Sequence, residues 1–302
     1  MSKRPMIAAC QGEWTTDAGQ NLTRMERFLE GTHRDWGSAV KLASFTEYAV
    51  QGFDPNIVAQ VAETVPGKST DRLCNAAAKY GMWVCSGSMA ERRGDRVYNT
   101  SLLISPQGKI EMKYAKTHPW CAPSGSENMI TPGSEFPVFE VPGIGKVGIM
   151  ICYDGFFPEV ARSLAFNGAD LILWPTMSFH PLVEMTRVAA QARAFENGCY
   201  VMAIMGTGQH VGLGLMGHSM IVTPDGVISS EAGEGESILI DVIDPALPAI
   251  AKEEGSKGIL TTLRHVDWFS HQYPPYLSLE KRQQASVDER AGAVKKPQPV
   301  AA

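Results

Sequence analysis

No block of basic residues occurs in this chain, although it carries 27 lysines and arginines. They are scattered along a sequence of net charge −5, which excludes the electrostatic footprint of a nucleic-acid binder. No apolar run approaches the roughly 20 residues that a membrane-spanning helix requires. The opening Met1-Ser2-Lys3-Arg4-Pro5 is basic, but the apolar run after it, Met6 to Cys10, is too short for a signal-peptide core. The six cysteines form no Cys-x-x-Cys pair and no metal-ligand spacing with the histidines, so no metal site is expected. The expected compartment is the cytoplasm, where those thiols stay reduced. A linker is also missing. Strand-like and helix-like runs follow one another evenly, which reads as one domain over residues 1–276. Residues 277–302 lack aromatics, mix charges and contain Pro297 and Pro299, the composition of a disordered or partner-wrapping tail.

What is present alternates. Strand-like runs fall near 6–11, 39–46, 83–89, 97–104, 147–152, 170–175, 200–205, 218–223 and 237–243. Helical periodicity falls near 18–31, 68–80, 158–167 and 184–197. In the last of these, Met185, Val188, Ala189, Ala192 and Phe195 form one apolar stripe. Strands alternating with helices indicate an α/β protein.

Cys152 ends a β-branched apolar run and precedes Tyr153-Asp154-Gly155-Phe156-Phe157-Pro158, where Asp, Gly and Pro announce a turn and a helix start. A cysteine there lies near the positive end of a helix, where a thiolate is stabilised. A buried structural cysteine is the alternative. Two carboxylate and amine candidates accompany it. Glu47 closes the strand-like run in Phe45-Thr46-Glu47-Tyr48, at the edge where α/β folds place their sites. Lys116 lies in Tyr114-Ala115-Lys116-Thr117-His118, and taken singly it is equally an exposed strand charge.

Together these segments resemble the nitrilase superfamily of carbon–nitrogen hydrolases. The family's Glu, Lys and Cys motifs stand here in the same order, the last as Ile151-Cys152-Tyr153-Asp154-Gly155-Phe156-Phe157-Pro158-Glu159. Leu171-Ile172-Leu173-Trp174-Pro175, Ala192-Arg193-Ala194-Phe195-Glu196-Asn197 and Gly217-His218-Ser219-Met220 extend the likeness, which runs from about Ile7 to Asp244. The resemblance implies an α-β-β-α sandwich of two mixed sheets in a single domain. It also implies a cofactor-free enzyme and a homo-oligomer, dimer or multiple of dimers, built through the helices after Cys152 and near 184–197.

The implied chemistry is amide hydrolysis through an acyl-enzyme. Cys152 attacks the carbonyl, Lys116 and the Tyr153 N–H hold the oxyanion, and Glu47 shuttles the proton. No histidine is needed, and Lys116 would help keep the sulfur ionised. A second family glutamate, orienting the lysine and the substrate, corresponds to Glu127, with an exposed loop glutamate as the alternative. Tyr48, Trp120, Tyr153 and Trp174 are candidates for the pocket wall, with core packing the alternative for Trp174. The Cys152 segment and Pro119-Trp120-Cys121 look most like aliphatic amidases and formamidases. However, Pro123-Ser124-Gly125-Ser126 stands where aliphatic amidases carry a pocket tryptophan.

Three further motifs are set aside. Gly212-Leu213-Gly214-Leu215-Met216-Gly217 matches GxGxxG, but a strand follows rather than a helix, so no dinucleotide is expected and the glycines should shape a loop near the site mouth. Asn21-Leu22-Thr23 and Asn99-Thr100-Ser101 are glycosylation sequons without meaning in the cytoplasm. His118 and His218 are expected to serve structural hydrogen bonds. The favoured function is hydrolysis of a small linear amide to a carboxylic acid and ammonia. N-carbamoyl amines and nitriles are the rival substrates, and a non-catalytic scaffold is the rival class.

Overall fold

The structure is a computed structural model, and it describes residues 4–121, 125–179, 182–210 and 212–253. The expected boundary at 276 and the tail at 277–302 lie outside the described residues. In chain order the first half holds β1 (Met6–Gln11), α1 (Ala18–Trp36), β2 (Val40–Ser44), α2 (Val58–Val61) and α3 (Lys68–Tyr80). It continues through β3 (Trp83–Cys85), β4 (Met89–Arg93), β5 (Arg96–Ile104) and β6 (Ile110–Ala115). The second half holds β7 (Val138–Val141), β8 (Gly145–Ile149), α4 (Pro158–Phe166), β9 (Leu171–Thr176), α5 (Val183–Asn197) and β10 (Tyr200–Met205). After these come β11 (Thr207–His210), β12 (Leu213–Met216), β13 (Met220–Val222), β14 (Ile228–Glu231), β15 (Ser237–Val242) and α6 (Leu247–Glu253).

Two mixed sheets result. One runs β15-β1-β2-β3-β5-β4 with β6 added beside β5, and the other runs β14-β13-β10-β9-β8-β7. The period-2 alternation of the strands explains how they stack. In β1, Ile7 and Ala9 face the second sheet, while Ala8 and Cys10 pack under α1 and α3 with Met25, Leu29 and Leu73. In β10, Tyr200, Met202 and Ile204 face the first sheet, while Val201, Ala203 and Met205 meet α4 and α5. Strands buried on both faces read as continuous apolar runs. The architecture is therefore the expected α-β-β-α sandwich.

Parallel pairing aims strand ends at one place. β1, β2 and β3 are parallel in the first sheet, and β8, β9 and β10 are parallel in the second. The chain leaves the C-terminal ends of β2, β8 and β9 close together: the Thr46 hydroxyl, just past β2, donates to Thr176 O of β9 at 2.5 Å.

Several sequence expectations change. The run 83–89 is broken into β3 and β4, because Gly87 has φ +69° and a Cβ there would lie 1.9 Å from Thr46 O. That contact lets Ser88 N donate to Thr46 O at 3.2 Å and Ser88 Oγ receive Tyr48 N at 2.8 Å. The GxGxxG segment holds β12, the second strand of the β11–β12 hairpin, rather than a loop. The large residues of the α5 stripe face outward: Met185, Val188 and Phe195 are 58, 64 and 42% exposed, while Ala189 of the same stripe is buried. The helix buries instead Thr186, Ala189, Ala190, Arg193, Ala194 and Asn197, small or hydrogen-bonded side chains that allow close approach to the sheet. No helix among the described residues is long and apolar enough to cross a membrane.

Gly155, in the turn after β8, packs directly against Trp174 of β9. A Cβ there would lie 2.1 Å from the Trp174 indole carbons. Gly155→Ala is expected to lower stability by roughly 1–3 kcal/mol through overpacking. Thermal unfolding reads this directly, and an unchanged midpoint would show that the turn can shift to make room.

Candidate active site

Glu47 is held by the loop that leaves β2. Phe45 N donates to Cys85 O at 3.2 Å, and Tyr48 adopts φ +51°, a left-handed conformation uncommon outside glycine. Lys116 follows β6 directly. Its N–H donates to Asn99 O of β5 at 2.8 Å, and its carbonyl accepts from Gly133 N at 2.8 Å. Glu127 lies in the connection from β6 to β7, folded back so that Trp120 N reaches its Oε2 at 2.7 Å. Cys152 opens a single 3-10 turn, Cys152–Phe156, with φ +46°.

These four side chains surround one cavity of about 40 Å³. Tyr48, Phe53, Trp120, Ser126, Met177 and Phe179 complete the wall. The volume holds on the order of three waters. A groove of about 450 Å³ between α1 and α3 is larger but lined by charges such as Glu26, Arg27, Arg72 and Lys79, with no comparable cluster.

Lys116 lies at the centre, 1% exposed. Its Nζ donates to Glu47 Oε1 at 2.8 Å and to Glu127 Oε2 at 2.6 Å. Burial works against the ammonium, but Glu127 and Glu47 together outweigh it and hold the lysine well above its ordinary value. The two glutamates are not equivalent. Glu127 accepts from Lys116, Trp120 N, Tyr48 OH at 2.8 Å and Asn99 Nδ2 at 3.0 Å. Burial pushes its carboxyl up, yet Lys116 and these donors bring it below the ordinary carboxylate value. Glu47 accepts from Lys116, Asn99 Nδ2 at 2.9 Å and Met177 N at 3.2 Å. For Glu47 burial wins over the pull of Lys116, with Glu127 adding to it, and its carboxyl is raised. The surroundings thus favour the ionised form of Glu127 and shift Glu47 toward its protonated form.

The thiol departs from the sequence expectation. Burial, aided by the charge on Glu47, pushes Cys152 up to about 12 against the opposing pull of Lys116. Two physical reasons apply. The lysine charge is already matched by two carboxylates, so little is left for the sulfur. The helix proper, α4, begins only at Pro158, and the short turn at Cys152 offers little dipole. Burial therefore favours the neutral thiol over the thiolate at Cys152. The Tyr153 N–H precedes the ladder of the turn, which starts with Asp154 N to Ile151 O at 3.0 Å, so it is available to a ligand.

The candidate wall aromatics divide. Tyr48 and Trp120 line the cavity; Tyr153 and Trp174 are not among its lining residues. Trp174 is fully buried and donates Nε1 to Cys152 O at 2.8 Å, so it supports the turn from behind. Tyr153 lies across the turn, its ring edge-on to Phe157 at 5.0 Å. Sequence reading missed Phe53, Met177 and Phe179, which belong to irregular segments without a motif. It also missed Asp154 as an anchor. That carboxylate accepts from Ile151 N at 3.0 Å, His118 N at 2.8 Å, Thr117 Oγ1 at 2.9 Å and Tyr114 OH at 2.7 Å. It therefore ties the Cys152 turn to the segment bearing Lys116. Burial pushes Asp154 up, but the hydrogen bonds from His118 and Ile151 N, with Lys116 nearby, hold it below its ordinary value. His118 also stacks on Phe157 at 4.0 Å, the structural role expected of it.

Asp154→Asn turns an amide N–H donor toward a ring of donors. It is expected to cost about 3 kcal/mol of stability and to lower turnover of the folded fraction more than tenfold. Denaturant unfolding with kinetics on the same samples checks both, and native values of either would remove the anchor.

The sequence profile described as carbon–nitrogen hydrolase matches residues 6–250. A probable nitrilase of Schizosaccharomyces pombe is 32% identical over 76% of this chain and 84% of its own length. A deaminated glutathione amidase of Homo sapiens is 29% identical over 80% of this chain and 77% of its own. Nit3 of Saccharomyces cerevisiae, a member of branch 10 of the nitrilase superfamily, superposes with a TM-score of 0.75 at 27% identity, over 84% of this chain and 94% of that one. With its profile match, its fold and its site cavity at the strand ends, the chain belongs to the carbon–nitrogen hydrolase family of the nitrilase superfamily, hydrolases of carbon–nitrogen bonds other than peptide bonds.

Proposed function

We propose that the chain is a thiol amidohydrolase that converts a small linear amide to a carboxylic acid and ammonia through a Cys152 acyl-enzyme. The observation that carries this reading is the gathering of Glu47, Lys116, Glu127 and Cys152 around one small cavity with an apolar wall. An amide is a poor electrophile and needs a nucleophile, a proton carrier and an oxyanion clamp in one place.

Glu47 takes the Cys152 proton as the sulfur attacks the carbonyl carbon, and the carbonyl electron pair moves onto oxygen. Lys116 has three N–H donors and spends two on the glutamates, so the third faces the oxyanion with the Tyr153 N–H. As the tetrahedral species collapses, the protonated Glu47 gives its proton to the departing nitrogen, and ammonia leaves. Water then enters, loses a proton to Glu47 and attacks the thioester. Collapse expels the thiolate, which recovers the proton. A raised carboxyl suits a group that must alternate between base and acid near neutrality. Glu127, ionised throughout, keeps Lys116 charged and aimed.

Phe53, Trp120, Met177 and Phe179 favour an uncharged acyl group, in keeping with the short simple amides expected from the aliphatic amidase and formamidase likeness. The six free cysteines agree with a cytoplasmic location. The exposed stripe on α5 supports a homo-oligomer buried on Met185, Val188 and Phe195.

Cys152→Ala is expected to reduce ammonia release from simple amides by a factor on the order of 10³ or more. Glu47→Gln should lose turnover but keep substrate binding. An activity panel of short, long and aromatic amides, a nitrile and an N-carbamoyl amine tests the class. Cys152-dependent release from the nitrile or the carbamoyl compound alone would move the assignment to another branch, and Cys152-independent turnover would end it. For assembly, Val188→Glu should shift the mass seen by light scattering toward the monomer. An unchanged mass would take α5 out of the interface.

A further inference from the structure

Asn99 is a β5 residue with no exposed surface, and as a sequon it has no use. Its position is unusual for a packing residue. The backbone carbonyl receives the Lys116 N–H at 2.8 Å, while the side-chain nitrogen donates to Glu47 Oε1 at 2.9 Å and to Glu127 Oε1 at 3.0 Å. One amide group has two hydrogens, and here each goes to a different carboxylate. No donor among the described residues reaches its Oδ1. The side chain is therefore placed by what it donates.

We propose that Asn99 is a positioning residue of the reaction, bridging Glu47, at the same Oε1 that takes the Lys116 ammonium, and Glu127, at the Oε1 the ammonium leaves free, and favouring the ionised form of Glu47 that accepts the Cys152 proton. The proposal rests on the role of Glu47 given above. The two carboxylates carry like charge in a dry cavity, and a single ammonium between them leaves one negative charge in excess. Asn99 supplies the second shared donor and closes a ring of Glu47, Lys116, Glu127 and Asn99. Glu127 has the Tyr48 hydroxyl and Trp120 N–H in reserve, whereas Glu47 has only the Met177 N–H at 3.2 Å besides Lys116 and the thiol. Loss of the bridge therefore falls on Glu47. The groups facing Glu47 that carry or exchange charge are Lys116, Glu127 and Cys152, and none of them is altered by changing Asn99.

The sign follows. Glu47 must be ionised to act as base, so activity rises with pH through its titration. Removing a donor from the carboxylate raises that titration, and the acid limb of the pH profile moves to higher pH. Asn99→Leu, which keeps the bulk and removes the donor, is expected to move the limb of kcat/KM up by about one unit. Asn99→Asp adds a third carboxyl to the ring and should move it further. Activity above the limb should be affected less than activity below it.

A residue that merely packs would lower activity or stability without moving the limb. The experiment measures kcat/KM against pH for the wild type and each variant, with thermal unfolding as the check on folding. A second readout needs no turnover: the pH dependence of iodoacetamide alkylation at Cys152, followed by mass spectrometry of its peptide. Failure of amide turnover in the wild type with a normal alkylation profile would count against the amidase reading alone. If Leu and Asp variants do not fold, Asn99→Ser decides, since its single O–H can serve only one carboxylate. A limb moved up in either readout supports the bridge; folded variants with limbs at the wild-type pH overturn it.

Discussion

A lysine ammonium almost sealed from water is the constraint on which the rest of this site depends. Lys116 could not keep its charge there alone, since the cost of removing an ammonium from water is several kcal/mol even after relaxation. Two carboxylates within 2.8 Å compensate it, and each must in turn be buried and hydrogen-bonded. That requirement reaches outward. Glu47 needs the loop pinned by Ser88 and the Met177 N–H, Glu127 needs the fold-back at Trp120 and the Tyr48 hydroxyl, and both need Asn99. Breaking any one of these would remove a hydrogen bond from a charge held in the interior. The site is in this sense a single unit, spread over five segments that are distant in sequence.

The sandwich makes such a unit possible. Glu47 and Asn99 come from the first sheet and its loops, whereas Cys152, Thr176 and Met177 come from the strand ends of the second. Only face-to-face packing of the two sheets brings these ends together, and the Thr46–Thr176 hydrogen bond fixes their separation at the floor of the site. Behind the Cys152 thiol, Asp154 and Trp174 hold the turn in its left-handed conformation, at φ +46°. Such a backbone costs on the order of 1–3 kcal/mol and persists because the surroundings over-determine it.

Much of the fold was legible because its strands are buried on both faces and its long helices are amphipathic, so period and length coincide with the elements that form. The residues gathered at the cavity were legible where a motif named them: Glu47, Lys116, Glu127 and Cys152. What was not legible depends on tertiary contact. Gly87 breaks an apolar run because Thr46 approaches it, and nothing local announces that approach. The α5 stripe looks like a core face by period, yet a sheet covered by a helix at close range prefers Ala189, Ala190 and Ala194. Asn99 carries a decoy motif, and its partners lie 52 and 28 positions away.

The protonation of Cys152 is the clearest case of local reasoning overruled by its surroundings. A cysteine at a strand-to-helix turn beside a lysine suggests a thiolate. In three dimensions the lysine is already claimed by two carboxylates, so the cluster without the thiol proton would carry two excess negative charges in a cavity of about 40 Å³. A neutral thiol beside a base of raised proton affinity removes that penalty. In the proposed reaction the sulfur becomes nucleophilic only as its proton moves to Glu47, and the charge it gains passes at once to an oxygen held by Lys116 and the Tyr153 N–H. Net charge in the cavity never rises above one, so the same carboxylates that stabilise the lysine also dictate that attack and proton transfer go together.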